Sequence, residues 1–200
     1  MTERTWEALL AAGWQLKEGE PDADASAQLV AHAAEAMRRR FGADRKRVCH
    51  ALRVLRLADE LLEAAEPLAA GQALSARLCA VLHDIGIQKA ERLHGSAAVR
   101  FQEMEGPPIA RDILRALGVT PALTERMCHI VGHHHTAAAV DGPDFQLLWE
   151  ADLLVNLMED GARDSAALRG ALERNLLSPG AQDVARQVLP FLNGPLAVDL

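Results

Sequence analysis

Tyrosine is absent from the 200 residues, and only three Trp and four Phe supply aromatic surface. Alternating β-branched runs are missing as well, so the pattern of a half-buried sheet is not there to be read. Half of the residues are hydrophobic, yet no apolar run approaches the roughly 18–20 residues that span a membrane. The opening stretch, Met1-Thr2-Glu3-Arg4-Thr5-Trp6, lacks the charged-then-apolar layout of a secretory signal, so a cytoplasmic location without a membrane partner is expected. Cysteine is scarce: Cys49, Cys79 and Cys128 are odd in number, widely spaced and form no C-x-x-C. That pattern excludes a disulfide framework and a thiolate metal site. Each lies in an apolar helical pattern and is expected to be a buried thiol in a reducing compartment. Cys49 adjoins His50, but helical neighbours point about 100° apart, which rules out a Cys–His nucleophile pair there. The net charge of −7 argues against a nucleic-acid polymer as partner, because that contact needs clustered Lys and Arg. A small phosphorylated substrate stays compatible, since a bound metal adds positive charge locally.

What the chain does contain is Ala, Leu, Arg and Glu at helical spacing, which predicts an all-α fold. The length suits one domain over residues 1–200 with a sizeable core. Trp6, Leu9, Leu10 and Trp14 mark a short first helix before Gly19-Glu20-Pro21. Asp24 or Ser26 then caps a helix over Ala27–Phe41, with Leu29, Ala33, Met37 and Phe41 on one side and Gly42 at its end. Asp44 caps a long helix over Arg45–Ala65, in which Val48, Leu52, Leu55, Ala58 and Leu62 face inward and His50 lies among them. A helix from Leu74 to Asp84 follows and stops at Gly86, placed as a left-handed C′ residue. Residues 87–106 read as irregular, and Pro107-Pro108 as a helix start. Thr120-Pro121 opens a helix that runs to about His134. Thr136–Pro143 is a loop, Phe145–Glu159 a helix, and helices over about 164–176 and 179–191 close the chain. The total is about eight or nine helices, with no repeat and no low-complexity linker.

The chemistry gathers at Leu82-His83-Asp84-Ile85-Gly86, with His50 before it and His133-His134-His135 and Asp152 after it. Adjacent residues at a helix end reach one ion lying just beyond it, and His50 and Asp152 would complete the coordination from other helices. Two imidazoles with two carboxylates make a nitrogen–oxygen donor set suited to Fe, Mn, Co, Ni or Zn. A lone histidine on an apolar face is more often a hydrogen-bonded core residue. Asp152, however, sits in Leu-Leu-Trp-Glu-Ala-Asp-Leu-Leu-Val, where a carboxylate without a cation is costly.

In this order the residues resemble the HD-domain superfamily of metal-dependent phosphohydrolases. The resemblance runs through His50 with Arg53-Val54, His83-Asp84-Ile85-Gly86, Ile130 with the histidine triplet, and Ala151-Asp152-Leu153-Leu154, over about residues 45–157. It implies a helical bundle with one or two divalent metals and hydrolysis of phosphate esters or anhydrides, often of nucleotides; helices within 1–41 and 164–191 are expected to pack on this motif core. His50, His83, Asp84 and Asp152 are the ligands it implies, with His83 and Asp84 also at the chemistry. For a second ion it implies His133 and His134, with His135 able to replace one of them. Glu105 serves equally as a ligand or as a carboxylate on a helix dipole. Arg53, three residues after His50, is a candidate for catalytic and phosphate contacts or for a structural salt bridge. Lys89 and His94 are further substrate-binding candidates, His129 a packed surface histidine or a pocket wall, His32 a surface residue, and Asn156 a support for Asp152. Two alternatives accompany the hydrolase: a dinuclear-iron oxygenase of the same superfamily, and a regulatory or binding module without turnover. No Gly-Tyr-Pro follows the histidines, which sets the chain apart from the cyclic-dinucleotide phosphodiesterase subgroup. The expected partner is a small phosphorylated substrate, and the oligomer to look for is a homodimer.

Overall fold

The computed structural model describes residues 23–193. The first helix expected from Trp6, Leu9, Leu10 and Trp14 lies outside the described residues. Nine α-helices follow: α1 (Ala23–Phe41), α2 (Arg45–Ala64), α3 (Ala70–Leu82), α4 (Ile87–His94), α5 (Val99–Ala116), α6 (Pro121–Val131), α7 (Pro143–Glu159), α8 (Ala166–Asn175) and α9 (Ala181–Val188). Short 3₁₀ turns occupy Ala137–Ala139 and Pro190–Asn193, and the described residues contain no strand. The fold is therefore an all-α bundle. Among the described residues no helix is long and apolar enough to cross a membrane.

Helix α3 is the axis of this arrangement. Leu74, Ala76 and Leu78 to Leu82 are buried around its whole circumference, as expected of a helix enclosed on all sides. It packs on α1, α2, α6 and α7. Its C-terminal end therefore emerges among its neighbours, and the His-Asp pair follows directly.

Several local expectations are corrected by this packing. Helix α1 already includes Ala23, so Asp24 and Ser26 lie within it and do not cap it. Its inner face, Leu29, Ala33, Met37 and Phe41, is as read, and Gly42 closes it at φ +58°, a conformation glycine adopts without a Cβ penalty. Asp44 does cap α2, accepting from the Arg47 amide. The buried stripe of α2 is Ala51, Val54, Leu57, Ala58 and Leu61, however, while Val48, Leu52, Leu55 and Leu62 are only half-buried. The stripe turns because α3 and α7 clasp α2 together, and small Ala51 and Ala58 let both come close. Cys49 falls on the exposed side; only Cys79 and Cys128 are buried.

Residues 87–106 are not irregular. They form α4 and the first half of α5, and Pro107-Pro108 lie inside α5. Interior prolines remove two helix hydrogen bonds at a cost of ~3 kcal/mol or more, which the packing of α5 on α4 and α6 offsets. Gly86 has an ordinary helical φ of −79°. Its glycine is required by proximity: a Cβ there would meet the Gly106 nitrogen at 2.5 Å and the Gln102 carbonyl at 2.6 Å. Helix α6 ends at Val131, short of the histidine triplet, which lies in the turn that follows.

Candidate metal centre

His50 projects from the first half of α2, His83 and Asp84 from the turn after α3, His134 from the turn after α6, and Asp152 from the middle of α7. All are at least largely buried, His83 and His134 almost completely. The His50 Nε2 lies 3.1 Å from Asp152 Oδ1, 3.3 Å from His83 Nε2 and 3.8 Å from Asp84 Oδ2. The His83 Nε2 lies 3.5 Å from Asp84 Oδ2 and 3.6 Å from Asp152 Oδ1. Donor atoms bound to one cation at about 2.1 Å stand roughly 3.0–3.4 Å apart, so these spacings are close to the edges of a coordination polyhedron. A second group shares Asp84: its Oδ1 is 3.5 Å from His134 Nε2, and His135 offers a nitrogen within 4.8 Å of both.

Hydrogen bonds on the far side of each ring decide what the near side can do. The Nδ1 of His83 donates to the Ala80 carbonyl at 3.0 Å, and that of His134 to the Val131 carbonyl at 2.8 Å. Carbonyls only accept, so these nitrogens carry the protons and each Nε2 keeps a lone pair facing the cluster. The His50 Nδ1 is held by Glu159 Oε2 at 3.3 Å, a carboxylate–histidine pair of the kind that orients metal ligands. With His83 in this tautomer, its Nε2 lone pair faces the His50 Nε2 across 3.3 Å, and that His50 nitrogen lies against Asp152 Oδ1 on its other side. The His134 Nε2 is buried and makes no hydrogen bond. A cation would give the His134 nitrogen the partner it lacks, and the donor set fits a divalent transition metal.

The charges agree. Burial favours neutral His50, but Asp152, Asp84 and Glu159 outweigh it and raise its pKa to about 9. Burial holds His83 below the ordinary range. Burial likewise favours protonated Asp84 and Asp152, yet the surrounding imidazoles keep both carboxyls below the usual carboxylate range.

Other sequence candidates land elsewhere. His133 points out of the cluster: it is exposed, its Nδ1 donates to the His129 carbonyl, and its ring lies tilted against that of His129 with centroids 4.6 Å apart. The turn after α6 causes this, sending His134 and His135 inward and His133 outward. Thus His134 and His135, not His133 and His134, flank Asp84. Glu105 does not join them either. Its Oε2 pairs with Lys89 Nζ at 2.7 Å and its Oε1 accepts from His94 Nε2 at 2.9 Å. Lys89 and His94 are thereby engaged in that local cluster, where His94 also stacks on Phe101. Arg53 is mostly exposed and donates to Glu159 Oε1 at 2.8 Å, so it faces Glu159 rather than the donor atoms. Asn156 donates to Asp152 Oδ1 at 3.0 Å, as expected of its position one turn on. His129 lies near Asp141, and lines a separate depression with His133.

Glu159 is the participant that sequence reading passed over. It follows Asp152 by seven residues, two helical turns along the same face, so its spacing carried the signal. A cavity of about 410 Å³ opens beside the cluster, bounded by His50, Asp84, Asp152, Lys46, Gln102 and His135 among others. It gives small molecules access to the donor atoms.

Searches of curated proteins and of solved structures returned no match. A family model for the HD domain matches residues 47–185, a span that includes every member of both donor groups. Members of that superfamily include metal-dependent hydrolases, in keeping with a His/Asp cluster able to hold a metal. By this match over more than two thirds of its length, the chain belongs to the HD domain family.

Proposed function

We propose that the protein is a metal-dependent phosphohydrolase that cleaves a phosphate ester or anhydride of a nucleotide or similar small molecule. The observation that carries this reading is the convergence of three histidine Nε2 atoms and two carboxylates beside an open cavity. In this reading His50, His83, Asp84 and Asp152 would hold one divalent ion and His134 and His135 would serve a second, Asp84 belonging to both donor groups. When bound, such an ion lowers the pKa of water from 15.7 towards ~7 and polarises a phosphoryl oxygen. The chain's own part is positional. Glu159, Ala80 and Val131 fix the imidazole tautomers, Asn156 fixes Asp152, and the carboxylate of Asp84, between the two histidine groups, orients the attacking water. Burial of the cluster removes competing solvent and strengthens each electrostatic contact.

Two measurements test the proposal. Purified protein is assayed for Fe, Mn, Co, Ni and Zn by mass spectrometry, then screened for phosphate release from a panel of nucleotides and sugar phosphates with each metal restored. One or two metal equivalents and metal-dependent release are expected. Metal without hydrolysis of any ester would overturn the hydrolase reading. Oxygen-dependent turnover by an iron-loaded sample would replace it with an oxygenase, the alternative that the shared Asp84 between two donor groups also accommodates.

A further inference from the structure

We propose that Lys46 binds the nonbridging oxygens of the substrate phosphoryl group, an inference that rests on the phosphohydrolase reading above. Arg53 and Lys89, the cations that spacing favoured for this task, are taken up by Glu159 and Glu105. Arg47, which also lines the cavity, is held by Asp44 at 2.7 Å and by Glu91 at 2.6 Å. Among the described residues, Lys46 is the lysine or arginine on the cavity wall that has no hydrogen bond or ion pair.

Its place is suitable. Lys46 precedes His50 by four residues on α2 and so lies one turn away on the same side. It also stands in the first turn, where the helix dipole is positive. The same cavity is lined by five carboxylates, Asp44, Asp84, Asp152, Glu159 and Asp160. Metal ions offset the inner ones, but an anion must still pass the outer ones, and an uncommitted ammonium at the mouth lowers that barrier. A lysine fits the role because its compact charge and three donors can follow a phosphate on a flexible stem. The stretch around it is locally basic: residues 38–47 hold six of the chain's 21 Lys and Arg against one acid, Asp44, although the net charge is −7.

The test uses the full chain loaded with metal, with p-nitrophenyl phosphate as substrate and inorganic phosphate as inhibitor. Lys46→Gln should keep the metal-to-protein ratio, raise KM and the phosphate Ki about tenfold, and leave kcat within about threefold. Lys46→Arg should recover most of the loss, and the difference between wild type and Lys46→Gln should shrink as salt rises. Arg56→Gln, which removes an exposed cation of α2 paired with Glu60, should leave Ki unchanged. A phosphate Ki in Lys46→Gln within twofold of wild type would overturn the inference while leaving the hydrolase reading intact. An equal rise in Arg56→Gln would also overturn it, by showing a general field rather than a contact. If the metal-loaded wild type neither cleaves the ester nor binds phosphate, the hydrolase reading fails and the inference fails with it.

Discussion

Glu159 accepts from His50 Nδ1 and from Arg53, so one carboxylate joins a buried imidazole to an exposed guanidinium. His83 and His134 are oriented by backbone carbonyls, which no side-chain substitution removes. Of these three histidines, His50 is thus the one whose orientation can be changed by a side-chain substitution outside the donor set. Glu159→Ala should weaken metal affinity about 10–100-fold, measured by competition with a chromogenic chelator, whereas Glu159→Gln, which keeps an acceptor, should lose less. Equal affinities in all three proteins would remove Glu159 from the centre. His83→Ala or Asp84→Ala should abolish both metal content and phosphate release; an unchanged metal-to-protein ratio in either would sink the assignment.

The approach of α4 to α5 depends on two glycines. A Cβ on Gly86 would press on the Gly106 nitrogen and the Gln102 carbonyl, both backbone atoms that cannot rotate away. Gly86→Ala should therefore destabilise the fold by about 1–3 kcal/mol or more, the usual cost of overpacking, read from urea unfolding. Because Gly86 follows Asp84 by two residues, the same variant should also lower metal affinity. A second element-scale prediction concerns the start of α7. Burial of Asp144 favours its protonated form, but bidentate hydrogen bonds from Arg126 outweigh this and hold its carboxyl below the usual range. A depressed folded-state pKa means stability that is present above the unfolded value of ~3.9 and lost as pH falls through the folded value. Asp144→Asn should thus cost more stability at pH 7 than at pH 3, compared with metal-stripped wild type at each pH. Equal costs at both pH values would show that the Arg126 pair contributes nothing to folding.

Across the molecule, the donor atoms come from four separate places: α2, the end of α3, the turn after α6, and α7. Any ion that binds all of them binds only the folded chain, so metal and stability are linked. Adding the preferred metal at about 100 times its Kd should stabilise the protein by ~2.7 kcal/mol. Thermal unfolding with and without a chelator would show this as a rise of several degrees in Tm. His83→Ala should show no such rise, and a wild-type Tm indifferent to every metal tried would argue against the centre.

Composition and helical spacing alone were sufficient for the all-α class, because burial of periodic apolar residues is a local signal that any packing must satisfy. The same holds for the Asp44 cap, for the inner face of α1, and for the order of His50, His83-Asp84 and Asp152. Tertiary structure decided the rest. Pro107-Pro108 read as a helix start because proline favours the first turn, yet α5, packed on α4 and α6, continues through them. Gly86 read as a left-handed stop, while its real constraint is a neighbouring backbone invisible in the local sequence. The histidine triplet offered two registers, and only the turn after Val131 chose His134 and His135. Glu105, Lys89 and His94 looked like site residues along the chain, but in space they satisfy one another. Residue type determined which side chains could bind a metal; which of them meet was set by where the helices end.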